Sequence, residues 1–310
     1  MAAINQLPPP RRRGLNLKPS QRETVAFYIF ILPWLLGFVI FTLGPMLASA
    51  YLSLTEFSIM SPPKWVGLLN FQQMFQTKLF WQSMYNTLYM VALDLPLGLV
   101  AALGAALLLN QKLRGVNVFR SIFYLPVLIP AIANILLWVW IFDKDAGILN
   151  TIIKSVGLPP QPWLTSEIWS KPSLIFMNLW AVGGAMLIFL AGLKGIPQEL
   201  HEAAKIDGAS AWQAFWKITL PLLSPTILFM LVIGVIGEFQ IFTQGYILGG
   251  GPNFSTTFYV LLLFNNAFRY LKMGYASAMA WVLFAITLVI TLAVFRSTPY
   301  WVYYESERRR

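Results

Sequence analysis

Six apolar runs, each bounded by polar or turn-forming residues, organise the chain: about 24–52, 82–110, 121–142, 173–193, 224–248 and 277–295. Each is close to or above the roughly 20 residues a helix needs to cross a bilayer, so the pattern predicts an all-α, polytopic membrane protein with six transmembrane helices. Prolines interrupt some runs without ending them. Pro33 and Gly44-Pro45 lie in the first and Pro126 and Pro130 in the third, tolerable where neighbours satisfy the carbonyls a proline frees. In the second run, Ala101, Ala102, Ala105 and Ala106 recur at helical spacing and suit close helix packing. Ser224-Pro225 reads as an N-cap and first-turn proline opening the fifth run, which closes near Gly249-Gly250-Gly251-Pro252. Between the runs, 53–81 contains the aromatic and amide-rich stretch Trp65 to Phe75, suited to a membrane interface. The segment 143–172 has no sustained apolar run. The organisation expected is a tail over 1–23, a six-span domain over 24–297 with a polar loop at 194–223, and a second tail over 298–310.

Composition supports this pattern. The chain has 310 residues, 57% hydrophobic and 11% charged, against about 25% charged in a soluble domain; mean hydropathy is +0.65. Cysteine is absent, which removes disulfides, thiolate metal sites and a cysteine nucleophile. The lone histidine, His201, lies on a polar loop without other donors and reads as a surface residue. Ala48-Ser49-Ala50 resembles a cleavage site, but the first apolar run exceeds the usual signal-peptide core of about 7 to 15 residues, so it reads as an uncleaved span.

The net charge of +10 follows topology and not nucleic-acid binding. If the tails and the 111–120 and 194–223 segments are inside, they and the residues flanking them hold 15 of the 22 lysines and arginines, as the positive-inside rule expects. Both termini are then cytoplasmic, and the basic N-terminal tail lies near anionic lipid.

Within the polar loop, Glu202 to Pro221 reads helix, break, helix. Pro197 suits a first turn, with Glu199 and Glu202 near the positive end of the helix dipole. Asp207-Gly208 tolerates left-handed backbone and should stop that helix. Ser210 is a plausible N-cap for the next helix, and Pro221 with Pro225 should break and restart the chain.

Ionisable side chains are rare inside the runs: Asp94, just before Pro96, and Glu238. An intramembrane charge marks either a functional site or a packed, hydrogen-bonded group; Asp94 could also serve backbone freed by Pro96. Gln240, Thr243 and Gln244 fall on one face of an ideal helix, with Tyr246 beyond, while Glu238 faces elsewhere unless Gly234, Gly237 or Gly245 distorts the helix. In the fourth run, Asn178 and Trp180 share a face only if the helix opens at Gly183-Gly184. These candidates, Asn178, Trp180, Glu238, Gln240, Thr243, Gln244 and Tyr246, offer amides, hydroxyls, a carboxylate and aromatic faces. That set suits the hydroxyls and apolar faces of a sugar, and without a cation at that depth it suits a neutral solute.

The elbow also carries a resemblance. Glu202, Ala203, Ala204, Asp207, Gly208 and Ala209, followed by Phe215, Ile218, Leu220 and Pro221, resemble the EAA loop of ABC importer permeases. The proline-containing first run, the Trp65 to Phe75 segment and Gly250-Gly251-Pro252 are similar to carbohydrate-type permeases of the maltose, lactose and glycerol-3-phosphate class. This resemblance implies a type I ABC importer permease fold in a bacterial or archaeal cytoplasmic membrane. It implies a coupling helix centred on Glu202 and Gly208 that docks on a separate ATPase dimer, a second permease subunit and an extracytoplasmic solute-binding protein. No G-x-x-x-x-G-K-S/T is present, so ATP and magnesium are expected on the partner ATPase, with no cofactor in this chain and no enzymatic role. The alternatives are a permease for another polar solute, such as a polyol or glycerophosphodiester, a secondary transporter, or a membrane scaffold.

Overall fold

The computed structural model describes residues 19–111 and 114–303. Most of the basic N-terminal tail, Lys112 and the last seven residues lie outside them. The chain divides into two compact units, residues 1–51 and 52–310.

In the first unit, α1 (Pro19–Phe38) passes through a π-helical turn, Val39–Leu43, into α2 (Gly44–Ser53). The turn stands immediately before Gly44-Pro45. Proline has no N–H and its ring clashes with the carbonyl four residues back. Widening the ladder so that Gly44 N–H reaches the Val39 carbonyl relieves both problems and lets the helix continue.

The second unit opens with a two-stranded antiparallel hairpin, β1 (Thr55–Ser58) and β2 (Ser61–Trp65), followed by α3 (Leu69–Gln76). Its centre is α4 (Lys78–Leu109), 32 residues long and thus about 48 Å. After it come α5 (Val116–Tyr124), α6 (Ala131–Ile141), α7 (Ile148–Ser155), α8 (Ser170–Leu179), α9 (Gly183–Lys194), α10 (Gln198–Ile206), α11 (Ala211–Ala214), α12 (Leu220–Phe239), α13 (Thr243–Ile247), α14 (Tyr259–Phe264) and α15 (Met273–Trp301), of which α5, α8, α9, α12 and α14 pack on α4.

Packing explains why α4 is central. Ala102, Ala105 and Ala106 are buried together with Met186, Phe189, Leu190 and Leu193 of α9 and Leu223 of α12; the alanines bring the helix axes close, which drives association where no water is expelled. Higher on α4, Leu95 packs with Val235 and Phe239 of α12. At its start, Phe80 and Met84 pack with Tyr259 and Leu262 of α14 and Met279 of α15.

Among the described residues, four helices are long and apolar enough to cross a membrane, and two bent pairs bring the total to six. The pair α5 and α6 is bent by 98° around Pro126 and Pro130, and the pair α8 and α9 by 48°. At the second bend the chain approaches α5 closely: a Cβ on Gly183 would lie 2.2 Å from the Phe123 carbonyl oxygen, so only glycine fits there.

Several expected boundaries move. The second apolar helix starts at Lys78 and the last runs on to Trp301, through Pro299. The segments read as loops contain helices: α7 lies within 143–172, and α14, after the fifth run, buries Tyr259, Leu261 and Leu262. Short apolar runs such as Tyr259–Phe264 fall below any span-length threshold.

The largest correction concerns Pro221 and Pro225. They do not break and restart the chain, and Ser224 is not an N-cap. Helix runs from Ala211 through a π-helical turn, Phe215–Thr219, into α12. The turn ends two residues before Pro221, as Val39–Leu43 does before Pro45. Pro225 then leaves the Pro221 carbonyl without its usual donor, and the Ser224 hydroxyl donates to that oxygen at 2.6 Å.

Candidate functional site

A polar cluster lies where α4, α6, α8 and α12 meet. Asp94 on α4 is buried, and its Oδ2 accepts a hydrogen bond from Asn178 Nδ2 on α8. The sequence suggested backbone freed by Pro96 as one partner for Asp94; the side chain bonds to Asn178 instead. Glu238, on the last turn of α12, stands beside Phe239, which packs on Leu95, the residue after Asp94. Its Oε2 is buried with no hydrogen-bond partner.

The neighbouring helix contributes groups that the sequence reading missed. Trp138 of α6 packs with Met90, Met177 and Ile241, which stand one turn from Asp94, beside Asn178 and three residues from Glu238. Its Nε1 and the Oδ1 of Asn134, one turn earlier, are both buried without partners. The signal was present as an amide within an apolar helix and a tryptophan four residues on. Trp180, in the break between α8 and α9, is half exposed and meets Trp138 edge-to-face at 6.3 Å. The cluster thus gathers two carboxylates, the Asn178 amide and two indoles, with Asn134 one turn away along α6; Glu238, Trp138 and Asn134 keep unspent hydrogen-bonding capacity. No lysine or arginine stands within a turn of these residues on the four helices.

The expected stripe of Gln240, Thr243 and Gln244 is not on one helix. Helix α12 ends at Phe239, Gln240 to Phe242 leave helical geometry, and Thr243 begins α13. Glycine at 237 and the φ of −136° at Phe242 accompany this break. Tyr246 joins an aromatic group, stacked on Phe242 at 5.3 Å and edge-on to Phe264 at 5.7 Å.

At the other end of α12, the elbow has the local geometry its residues require. Helix α10 starts after Pro197, which serves as its N-cap and not in its first turn. Gly208 adopts φ +79°, a region that costs any residue with a Cβ. Ser210 and Gln213 form a reciprocal capping box that starts α11. Glu202 accepts from Gln198 Nε2 at 2.7 Å on an exposed face shared with Ala203, Lys205 and Asp207; Ala204 and Ala209 are half buried, and the Ala209 amide donates to the Ala204 carbonyl. Ile206, Trp212 and Trp216 project from the elbow, with Ile206 86% exposed. From Ala211 to Glu238 the backbone is helical throughout, so one rod of about 40 Å joins the elbow to the polar cluster.

Comparison with known proteins places this arrangement. The family described as binding-protein-dependent transport system inner membrane component matches residues 94–301, a range that holds both the polar cluster and the elbow. The chain belongs to that family. The permease is 44% identical over 296 residues to the probable ABC transporter permease protein YesP of Bacillus subtilis (strain 168), covering 93% of this chain and 94% of that one. It is 33% identical to the trehalose/maltose transport system permease protein MalF of Thermococcus litoralis, covering 90% and 95%. Among solved structures, a bacterial ABC transporter that imports the acidic polysaccharide alginate matches with a TM-score of 0.80 at 26% identity, covering 90% of this chain and 96% of that chain. The same transporter has been solved with an alginate pentasaccharide-bound periplasmic protein. The fold is therefore the ABC importer permease fold, and the permease is a membrane transport component and not a catalytic subunit.

Proposed function

We propose that this permease forms part of the translocation path for a neutral oligosaccharide in a binding-protein-dependent ABC importer, and that a separate ATPase drives it through the Glu202 to Pro221 elbow. The observation that carries this reading is the continuous helix from Ala211 to Glu238. It places a surface-exposed polar elbow and a buried group of unpartnered hydrogen-bonding atoms at the two ends of one rigid body. Displacement of the elbow then moves Glu238 against Asp94 and Asn178, which sit on other helices.

Sugar as the solute is supported by relatives that carry trehalose/maltose, lactose and arabinooligosaccharides. Neutrality is supported by the absence of a lysine or arginine beside the two carboxylates; an acidic chain buried there would find no cation to pair with. Sugar hydroxyls would donate to Asp94, Glu238 and Asn134, with Trp138 Nε1 as a donor and Trp180 as a stacking face. Gln240, Thr243, Gln244 and Tyr246 would extend the path beyond the break after α12.

The remaining parts follow the same reading: a second permease completing the cavity, an ATPase dimer holding ATP and magnesium, and both termini with the elbow in the cytoplasm. In uptake assays with the complete transporter, Glu238→Gln should preserve sugar uptake better than Glu238→Leu, which removes the hydrogen-bonding oxygen. Equal uptake in wild type and Glu238→Leu would contradict the path.

A further inference from the structure

The loop after α13 holds an unusual backbone. Gly249, Gly250, Gly251, Asn253 and Phe254 all have φ between +46° and +86°, so five of six consecutive residues are left-handed. Glycine enters that region freely, but a bulky aromatic there is an outlier that the surroundings must impose. They do so thoroughly. Asn86 Nδ2 donates to the Phe254 carbonyl at 2.8 Å, and Gln82 Nε2 donates to the Asn253 carbonyl. The Asn253 side-chain amide donates to Glu167, and the hydroxyls of Ser170 and Ser255 pair at 2.9 Å. Beneath them the buried ammonium of Lys171 reaches Asn86 Oδ1 at 3.2 Å and lies over the rings of Tyr85 and Tyr89. Three elements thus fix one strained loop, and its product is a phenylalanine ring held 54% exposed.

That ring borders an open cavity of about 830 Å³ whose other walls include Trp81, also 54% exposed, Gln82, Glu167, Asn253 and Lys78. The volume is in the range of about 300–1,000 Å³ that small-molecule sites occupy. Gln82, Glu167 and Asn253 each keep an oxygen able to accept, and Lys78 is a donor. Two exposed aromatic side chains with acceptors in the same cavity wall match a sugar ring, which offers apolar C–H faces to stack and hydroxyls to donate. Hydrogen bonds already made within the protein hold these groups in place before any ligand arrives, which reduces the ordering cost of binding.

We propose that this cavity is an outer oligosaccharide subsite, in which Trp81 and Phe254 stack on a sugar unit before the chain reaches the Asp94 cluster. It rests on the oligosaccharide reading above and on the topology that puts this face outside. Gln82 and Asp94 are 12 residues apart on α4, about 18 Å. A chain of several sugar units can occupy both places at once and a disaccharide cannot, so solutes long enough to stay bound at the Asp94 cluster while filling the outer subsite are the ones whose affinity it raises.

The test is calorimetric titration of the complete transporter in lipid nanodiscs with malto-, cello-, xylo- and arabino-pentaoses and the corresponding disaccharides. If the subsite exists, Phe254→Ala and Trp81→Ala each raise Kd for the bound pentaose by about tenfold and leave Kd for its disaccharide unchanged. Trp81→Phe, which keeps a ring while losing the indole bond to the Phe75 carbonyl, should restore most of the pentaose affinity. Pentaose affinity unchanged in both alanine variants, or lost equally for both lengths, overturns the outer subsite and leaves the oligosaccharide reading in place. Absence of binding by wild-type protein to every probe overturns the oligosaccharide reading itself.

Discussion

At the scale of residues, the pair of Asp94 and Asn178 decides how α4 and α8 meet. Truncating one partner of a buried hydrogen bond exposes the other to the full cost of desolvation, whereas removing both is far milder. Asn178→Leu should therefore destabilise the permease by about 1–3 kcal/mol, and Asp94→Leu combined with Asn178→Leu should recover most of it; thermal unfolding of the purified variants checks this. Asp94 was legible in the sequence as a charge in an apolar run, but its partner was not, because a contact across 84 positions leaves no periodicity to read. Asn134 and Trp138 were visible yet passed over, since a single amide in an apolar helix attracts less notice than a carboxylate. Gly208 was the opposite case. Asp-Gly between two helical patterns announces left-handed backbone, and φ at Gly208 is +79°. Gly208→Val should destabilise the elbow by about 1–2 kcal/mol, measurable as faster hydrogen exchange confined to Gln198–Ala214.

At the scale of elements, the informative feature is the passage from elbow to span. Proline in a helical pattern reads as a stop, and that rule fails at Pro221 because the preceding turn widens. The sequence carries no separate sign of a π-helical turn: one precedes Pro45 as well as Pro221, yet Pro33, Pro96, Pro225 and Pro299 lie within α-helix without one. Ser224 makes the continuation possible. Its hydroxyl donates to the Pro221 carbonyl and accepts from the Tyr303 amide at 2.8 Å, so it ties the end of α15 to the start of α12. Ser224→Ala should cost about 1–3 kcal/mol and loosen both helix ends in hydrogen exchange, while Ser224→Thr keeps the bonds. The polar stripe after Glu238 failed for a related reason: an ideal 100° per residue does not survive the break at Gln240–Phe242.

At the scale of the whole molecule, the six-helix pattern and the elbow were readable because span length and charge bias are properties of whole segments, insensitive to errors at any one residue. The loop after α13, the bends between paired helices and the aromatic cavity depend on contacts between distant segments and were not. The proposed topology has a direct test. With no native cysteine, a single introduced one reports its own side of the membrane: Ile206→Cys should react with an impermeant maleimide only from the cytoplasmic face, and Phe254→Cys only from the outer face.

The central claim is that the helix from Ala211 to Glu238 transmits elbow movement to the polar cluster. Phe229 and Ile233 lie on its exposed face, so replacing both by glycine softens the rod by roughly 1 kcal/mol per residue without opening the core. The decisive measurement is the number of sugar molecules imported per ATP hydrolysed by the complete transporter. Transmission through the helix predicts that Phe229→Gly with Ile233→Gly lowers this ratio several-fold while the alanine pair at the same positions leaves it intact. A glycine pair that imports as much sugar per ATP as wild type would contradict the claim.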